Sequence, residues 1–301
     1  MLKLKTNAKE KRASFRKSLE SNKLHKFPGA FNPLIAKLIE KIGFDGVYIS
    51  GAVISNNLAL PDIGLTTLSE VSTAGKTISS VTNLPSLIDI DTGFGQTSNV
   101  ARTIHELENS GVSAVHLEDQ QNPKRCGHLD NKVLVSVEEM TKKIKSANKA
   151  RTDSNFLIMA RTDSRAIDGL EASINRAKAY IQAGADAIFP EALKDEKEFE
   201  TFRKEIKVPL LANMTEFGKS KLLDAKTLEN LGYNIVIYPV TGLRLALKAV
   251  EDGFREILEK GTQENILNQM LTRKELYKLL EYEDYKEFDQ DIYNFKLKDN
   301  Q

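Results

Sequence analysis

Short apolar runs rich in β-branched residues alternate with longer amphipathic segments eight times along this chain of 301 residues. Strands that alternate with helices over short linkers favour a parallel sheet covered by helices. Eight such units predict an α/β fold of the (β/α)8 TIM-barrel type, which typically takes about 250 residues. The predicted strands lie near residues 26–30, 46–51, 86–91, 114–119, 156–162, 187–192, 209–214 and 235–240.

The segments between these runs have helical periodicity, and several end in a glycine. A glycine followed by a short polar residue precedes the even-numbered strands, and we expect it to take the left-handed conformation that ends a helix. These glycines are Gly43, Gly111, Gly184 and, in a looser repeat, Gly232. Periodicity predicts helices at 33–42, 99–109, 137–147, 170–182 and 196–206.

We expect a single domain over residues 1–301 with extra helices at both ends of the barrel. Residues 1–23 should hold a charged amphipathic helix, near 9–21, outside the barrel, and residues 24–261 should form the barrel itself. The C-terminal extension, 262–301, should hold a short element at 265–270 and one long acidic helix at 273–291. The apolar side chains of that helix could pack on their own barrel or on a neighbouring subunit.

Composition excludes several classes of partner and location. Lys and Arg number 43 against 42 for Asp and Glu, and this balance gives no field that would attract nucleic acid or an anionic membrane. The apolar stretches are far shorter than the roughly 20 residues of a membrane span. The single cysteine cannot form an intrachain disulfide, which favours the cytoplasm, or the mitochondrial matrix in a eukaryotic cell.

Polar residues end nearly every predicted strand, where barrel enzymes place their active sites. Asp89 and Asp91 are two residues apart on one strand and so point to the same face, as do His116 and Glu118 on the next strand. Two carboxylates on an inner face repel each other unless a cation neutralises them. Oxygen ligands with room for water suit Mg²⁺ or Mn²⁺. Alternatively, Asp91 only caps the next helix.

The loop after the fourth predicted strand contains the only cysteine, Cys126, between cationic neighbours. Lys124, Arg125 and His128 should favour the thiolate and lower the pKa of the thiol. Gly127 allows the backbone to bend around a ligand. The alternative is a solvated basic loop in which the cysteine is incidental.

Residues 124–128, Lys-Arg-Cys-Gly-His, resemble the signature of the isocitrate lyase and phosphoenolpyruvate mutase superfamily. The resemblance extends in order over roughly residues 12–290. One departure occurs at Ser50-Gly51-Ala52, where many members continue Ser-Gly-Gly. Further segments that resemble the superfamily are 48–51, 60–64, 89–95, 118–120, 159–163, 189–192 and 213–218.

The resemblance implies Mg²⁺-dependent cleavage of 2-methylisocitrate to pyruvate and succinate, a step of propionate catabolism. Isocitrate, dimethylmalate and oxaloacetate are alternative substrates, and a catalytically silent barrel that binds a polycarboxylate is the alternative from another class. The resemblance also implies a homotetramer with exchanged C-terminal helices.

For the site, the resemblance implies metal ligation by Asp89 and Asp91, with metal-bound waters on Asp62 and Glu118. Cys126 would be the general acid/base, supported by Lys124, Arg125 and His128, and Tyr48 or a metal-bound water would deprotonate the substrate hydroxyl. Arg161, Arg244 and Arg273 would each bind a substrate carboxylate. The full implied substrate-binding set is Ser50, Gly51, Ala52, Cys126, Gly127, Arg161, Glu191, Asn213, Met214, Thr215, Arg244 and Arg273.

Overall fold

The structure is a computed structural model that describes residues 4–129 and 131–296. The chain divides into two compact units, one formed by Thr6–Arg244 and the other by Met1–Lys5 with Leu245–Gln301. None of the helices in the described part of the chain is both long and apolar enough to span a membrane.

Eight parallel strands form the centre of the larger unit, in two ladders. One ladder has the order β2-β3-β4-β5-β6 and the other β1-β8-β7. Single parallel bridges, Gly29 with Tyr48 and Ile188 with Leu210, connect the ladders at both junctions, so the strands follow one another in chain order around a ring. The predicted α/β barrel class is confirmed. The strands are β1 (His25–Pro28), β2 (Val47–Ile49), β3 (Ser86–Asp89), β4 (Ala114–Glu118), β5 (Leu157–Thr162), β6 (Ala187–Pro190), β7 (Leu211–Asn213) and β8 (Ile235–Tyr238).

All five helices predicted from periodicity are present, with ends shifted by at most three residues. The helices α3, α4, α7 and α10 of this unit were not predicted, and neither was the helix at Thr241–Lys260. Helix α4 shows why: its sequence is rich in Ser, Thr and Gly, which are weak helix formers, and its stability comes from a capping box and from buried Val71 and Ile78. The helices of this unit are α1 (Ala8–Ser18), α2 (Pro33–Ile42), α3 (Gly51–Asn57), α4 (Leu68–Ser79), α5 (Thr97–Asn109), α6 (Val137–Ala150), α7 (Arg165–Asp168), α8 (Leu170–Gln182), α9 (Glu196–Glu205) and α10 (Ala225–Asn230).

The glycines predicted to end helices have positive φ angles, as expected for a left-handed cap. Gly43, for example, has φ 97° and closes α2, and its N–H is bonded to carbonyls of the last turn. These helix ends could be predicted from the sequence because the left-handed cap depends mainly on the glycine itself.

Helix α1 packs against the amino ends of the strands, although its charged sequence predicted a helix outside the barrel. Phe15 and Leu19 are buried in the same apolar cluster as the inward-facing residues of the strands. The ammonium of Lys11 donates to the carbonyls of Ser79 and Thr82, at 2.9 and 3.0 Å. The helix therefore forms the floor of the barrel.

The smaller unit is helical. Helix α11 (Thr241–Lys260) crosses the boundary between the units and is followed by a 3-10 helix (Glu264–Gln269), α12 (Arg273–Leu279) and α13 (Tyr282–Tyr293). The prediction of one long helix at 273–291 is wrong, because Glu281 adopts a left-handed conformation with φ 56° and breaks it. Across the break the rings of Tyr277 and Tyr282 stack with centroids 5.0 Å apart.

Candidate active site

The carboxyl ends of the strands carry a cluster of buried, charged side chains. Strand register determines which of them are neighbours, since Asp89 lies opposite His116 and Glu118 opposite Arg161. The cluster contains six carboxylates and three basic side chains, two lysines and one arginine. These are Asp62, Asp89, Asp91, Glu118, Asp163 and Glu191, with Lys124, Lys132 and Arg161.

Asp89 and Asp91 lie together beside the start of helix α3. The backbone N–H of Asp91 donates to Asp89 Oδ1 at 3.0 Å, and that of Gly51 approaches Asp89 Oδ2 at 3.3 Å. A Cβ atom at Gly51 would lie 2.9 Å from Asp89 Oδ2, so the close approach requires glycine here. Ala52 follows inside the helix and is half-buried, and its side chain is thus compatible with this geometry.

The two aspartates have opposite pKa shifts. Burial and the neighbouring charge of Asp89 raise the pKa of Asp91 to about 6, although Lys124 partly offsets this. Burial would also raise the pKa of Asp89, but the positive charges around it, Lys124 and Arg161 among them, hold its pKa below the usual value. Crowded carboxylates of this kind are stabilised by a further cation.

Lys124 places the cysteine loop against the carboxylates. Its ammonium is 2.8 Å from Asp91 Oδ1 and also contacts Asp62. Burial alone would lower the pKa of Lys124, but Glu118, Asp91 and the other surrounding carboxylates raise it well above the usual value. Lys124 therefore stays protonated, and the aspartate pair and the cysteine loop share one rim of the barrel.

Arg161 stands at the centre of three carboxylates. Its Nε and Nη2 donate to Asp163 at 3.0 and 3.1 Å, and Nη2 is 3.1 Å from Glu191 Oε2. Its Nη1 is 3.2 Å from Glu118 Oε2, and its guanidinium lies over the ring of Phe189. Burial would raise the pKa of Glu191, but the positive charge of Arg161 has the larger influence and lowers the pKa of that carboxyl.

Glu118 is buried without a hydrogen bond to either carboxylate oxygen, because Arg161 is close but not aligned with it. Burial raises the pKa of Glu118 well above the usual value. Asn213 Oδ1 is likewise buried without a hydrogen-bond partner. Buried polar atoms are nearly always satisfied, so these atoms indicate room for water or a ligand in the cluster.

The donors of this cluster fit a hard divalent cation. They are carboxylate oxygens in excess over the fixed cations, and Mg²⁺ prefers one or two carboxylates with several waters. Within residues 4–129 and 131–296 no three Asp, Glu, His or Cys side chains converge as a closed metal cage. A site formed by Asp89 and Asp91 with waters does not need such a cage.

The cysteine loop covers the ion pairs. A Cβ atom on buried Gly127 would lie 2.4 Å from Arg161 Nη2 and 2.6 Å from Glu191 Cγ, so the glycine permits direct packing. Cys126 next to it is partly exposed. The prediction of a lowered thiol pKa is wrong: burial raises the pKa of Cys126, and the charges of Asp62 and Glu191 add to this effect. The thiol therefore keeps its proton at neutral pH.

The other charged residues of the loop separate into two groups. His128 is within the cluster, with Nε2 3.1 Å from Glu191 Oε1 and Nδ1 accepting from the backbone N–H of Lys219 at 2.9 Å. The side chain of Arg125 is exposed, and its backbone is held by the amide side chain of Gln120. Of the four residues predicted to act chemically in this loop, only Arg125 points away from the cluster.

Tyr48 is buried behind Asp89 and its hydroxyl is 2.7 Å from His116 Nε2. Burial and the charge of Asp89 raise the pKa of Tyr48 well above its usual value, which disfavours the phenolate that a base requires. Burial lowers the pKa of His116 to about 4, so this histidine is neutral at pH 7.

Four of the remaining predicted substrate ligands belong to the larger unit, and Arg273 belongs to the smaller one. Ser50 is buried at the start of α3, and Met214 and Thr215 are buried at the end of β7. Arg244 is half exposed and pairs with Glu216, with Nη1 2.8 Å from Oε2. Arg273 is exposed on the first turn of α12, in the smaller unit.

Sequence reasoning missed two members of the cluster. Asp163 lies in the segment 159–163 that resembles the superfamily but was given no role, and Lys132 was not considered. Lys132 is buried and its ammonium is 2.9 Å from Asp163 Oδ1. A lysine eight positions after Lys124 carries no local signal, because its partner lies on another strand.

A cavity of about 370 Å³ adjoins Asp91 on the side of helix α5. Thr66, Asn99, Arg102 and Asn122 are among its lining residues. A recess of this size, lined by polar and apolar side chains, lies within the range of small-molecule sites and borders the candidate metal ligand.

Fold and site together define a (β/α)8 barrel enzyme with a centre rich in buried carboxylates at the carboxyl ends of its strands. The phosphoenolpyruvate phosphomutase family model matches residues 15–258, and the chain belongs to this family.

A curated relative is 54% identical over 96% of this chain and 95% of its own length; it is the probable 2-methylisocitrate lyase 1 of Corynebacterium glutamicum. Among solved structures, a 2,3-dimethylmalate lyase of the PEP mutase/isocitrate lyase superfamily superposes with a TM-score of 0.89 at 29% identity, covering 98% of this chain and all of the other. A phosphonopyruvate hydrolase in complex with oxalate and Mg²⁺ has a TM-score of 0.85 at 32% identity, covering 93% and 98% of the two chains.

Proposed function

We propose that this chain is a carbon–carbon lyase that cleaves 2-methylisocitrate to pyruvate and succinate in propionate catabolism. The observation that carries the proposal is the meeting of the Asp89/Asp91 pair with the Cys126 loop on one rim, in a chain 54% identical to a relative named for this activity. The buried carboxylates would bind the divalent cation, and the protonated thiol would donate the proton that the cleavage requires.

Cleavage breaks the bond between C2 and C3 of the substrate. The C2 hydroxyl loses its proton and becomes the carbonyl of pyruvate, while the electron pair remains on C3. Cys126 holds a proton at neutral pH because burial raises its pKa, and it donates this proton to C3 to give succinate. The raised pKa of Tyr48 argues against the phenolate as the base for the hydroxyl.

The metal ligands would be Asp89 and Asp91, with Asp62 and Glu118 binding its waters, and Mg²⁺ suits this set better than a softer ion, with Mn²⁺ the closest substitute. When bound, the cation polarises the hydroxyl and carboxylate of the substrate. The structurally similar phosphonopyruvate hydrolase was solved with Mg²⁺. Lys124 already contacts both Asp62 and Asp91 and keeps this group of carboxylates together.

Substrate carboxylates require cations, and Arg161, Arg244 and Arg273 are the proposed ligands. Ser50, Gly51, Ala52, Gly127 and the β7 residues would supply further contacts. Arg244 forms an ion pair with Glu216 in this structure, so a substrate carboxylate would have to displace the Glu216 carboxylate to bind it. The near-balanced charge gives no field for nucleic acid or an anionic membrane, so we propose a small tricarboxylate as the partner, and a cytoplasmic location.

We further propose a homotetramer in which C-terminal helices are exchanged. Helices α11 and α13 expose large apolar side chains that a monomer would leave in water. Leu245, Leu258 and Tyr293 are exposed by 67%, 87% and 90%. Light scattering and sedimentation would give the mass in solution; a monomer at micromolar concentration would contradict this assembly.

The decisive assay measures pyruvate and succinate formation from 2-methylisocitrate by the purified chain. We expect equal amounts of both products with Mg²⁺, none after EDTA, and recovery when Mg²⁺ is restored. Isocitrate, 2,3-dimethylmalate and oxaloacetate serve as competitor substrates. Preference for one of them would reassign the substrate, and tight binding of 2-methylisocitrate without any product would indicate a silent barrel. A pocket discriminates one methyl group by only about 1–3 kcal/mol, so we expect some side activity on isocitrate.

A further inference from the structure

Lys132 is a buried lysine that the mechanism above does not use. It follows the cysteine loop, and its side chain is 1% exposed. Its ammonium contacts the carbonyl oxygen of Gly127 and lies 2.9 Å from Asp163 Oδ1. A buried ammonium is costly unless it is paired, so these two contacts determine where the side chain can lie.

Asp163 is a rigid anchor that does not depend on Lys132. Its backbone N–H donates to Asp119 Oδ1 at 2.8 Å, and Arg161 binds both of its carboxylate oxygens. Asp119 is in turn held by the hydroxyls of Thr162 and Tyr180, at 2.8 and 2.7 Å. Lys132 therefore links the backbone of the cysteine loop to a well-bonded carboxylate directly after β5.

The contact is made at the residue beside the reacting thiol. Gly127 follows Cys126 directly and packs on Arg161 and Glu191. On the other side of Gly127, His128 contacts Glu191 and the backbone of Lys219. The loop is thus attached to the barrel on both sides of the thiol, through Lys124 and through His128. Lys132 adds a further attachment, at the Gly127 carbonyl.

We propose that Lys132 is a positioning residue, which bridges the Gly127 carbonyl and the Asp163 carboxylate and thereby holds the Cys126 thiol over the reaction centre. The role in turnover rests on the proposed lyase function. The holding of the loop does not, because it can be measured on the thiol itself without substrate.

The test uses Lys132→Met, which keeps the length of the side chain and removes its charge. Cys126 is the only cysteine, so its rate of reaction with iodoacetamide reports on this loop alone. We expect the rate to rise at least about tenfold, because a released loop exposes the thiol and moves it from Asp62 and Glu191. We also expect kcat to fall by about 10- to 100-fold with a smaller change in KM, as misplacement of a catalytic group does.

Two further variants control for structural damage. Lys132→Arg retains a cation with several donors and should restore much of the thiol protection and of kcat. Lys142→Met, at an exposed lysine of α6 paired with Glu138, should leave both measurements unchanged. Circular dichroism should show the same secondary structure in all variants.

An unchanged alkylation rate in Lys132→Met would overturn the proposal. Equal loss of protection in Lys132→Arg and Lys132→Met would also overturn it, since the effect would then come from packing and not from the charged bridge. If the wild-type chain has no lyase activity but Lys132→Met still exposes the thiol, the proposed function fails while the holding of the loop stands.

Discussion

The two ends of the barrel both bury charged residues, but they differ in how completely the carboxylate oxygens are hydrogen-bonded. At the floor, beneath α1, every carboxylate oxygen of Glu108, Asp153 and Asp186 has a hydrogen-bond partner. At the mouth, neither oxygen of Glu118 has one, and carboxylates outnumber the fixed cations. Satisfied networks stabilise a fold, whereas unsatisfied buried groups are characteristic of sites that await a ligand.

Burial of charge alone therefore does not identify an active site. Arg12 at the floor is as buried as Arg161 at the mouth. Arg12 donates largely to backbone carbonyls, including that of Val112 at 2.9 Å, and so serves to close the barrel. The ion pairs of the Arg161 guanidinium described above are all with side-chain carboxylates, and substrate could rearrange these. The comparison can be tested by substitutions at both ends.

Asp89→Asn should have the largest effect. Loss of one of two direct ligands should lower activity at least about 1000-fold, equivalent to about 4 kcal/mol, because the cation is no longer held. Calorimetric titration with Mg²⁺ should show greatly weakened binding, while circular dichroism remains that of a folded barrel. The matched floor variant, Glu108→Gln, should bind Mg²⁺ normally. Unchanged Mg²⁺ affinity in Asp89→Asn would refute the metal assignment.

Arg12→Met should show the opposite behaviour. It leaves Asp153 and the carbonyls of Val112 and Glu108 without their donor, which should lower the free energy of unfolding by about 3 kcal/mol. Denaturant unfolding would measure this loss, and kcat of the folded enzyme should stay within about twofold of wild type. The exposed pair of Lys142 and Glu138 provides the reference, since Lys142→Met should cost at most about 0.5 kcal/mol. Loss of kcat without loss of stability in Arg12→Met would break the comparison between floor and mouth.

Cys126→Ser should cause the smallest free-energy change of the three, about 2.7 kcal/mol of activation free energy. The hydroxyl is a far weaker acid than the thiol, and loss of a general acid typically lowers the rate about 100-fold. Mg²⁺ affinity and the unfolding midpoint should not change, because the side chain is neither a ligand nor a core residue. Steady-state kinetics would measure the rate, and turnover close to wild type would remove Cys126 from the mechanism.

The site could be predicted only where its signal was local. The spacing of Asp89 and Asp91 predicted two positions on one strand face, but β3 ends at Asp89 and Asp91 has a left-handed backbone with φ 47°. The two residues are nevertheless neighbours, because the Asp91 N–H donates to Asp89 Oδ1. The cations around Cys126 predicted a lowered pKa, yet the structure gives the opposite direction. The predicted direction considered only residues adjacent to Cys126 in the sequence. In the structure Arg125 points to solvent, whereas Asp62 and Glu191, from other parts of the chain, raise the pKa of the thiol.

The same distinction holds for the fold. Helix ends with left-handed glycines, such as Gly43, were visible because the conformation depends on one residue. The break at Glu281 and the burial of α1 were not, because they depend on Tyr277 meeting Tyr282 and on Phe15 meeting Phe27.

By itself, the sequence determined the eight strand–helix units, the end of the barrel that carries chemistry, and the residue types available there. Tertiary structure alone decided which charges face one another, that Arg161 is surrounded by three carboxylates, and that Lys132 reaches Gly127 and Asp163. The reason is physical: periodicity and backbone preference act over a few residues, whereas burial and Coulomb interaction sum over groups that are distant along the chain.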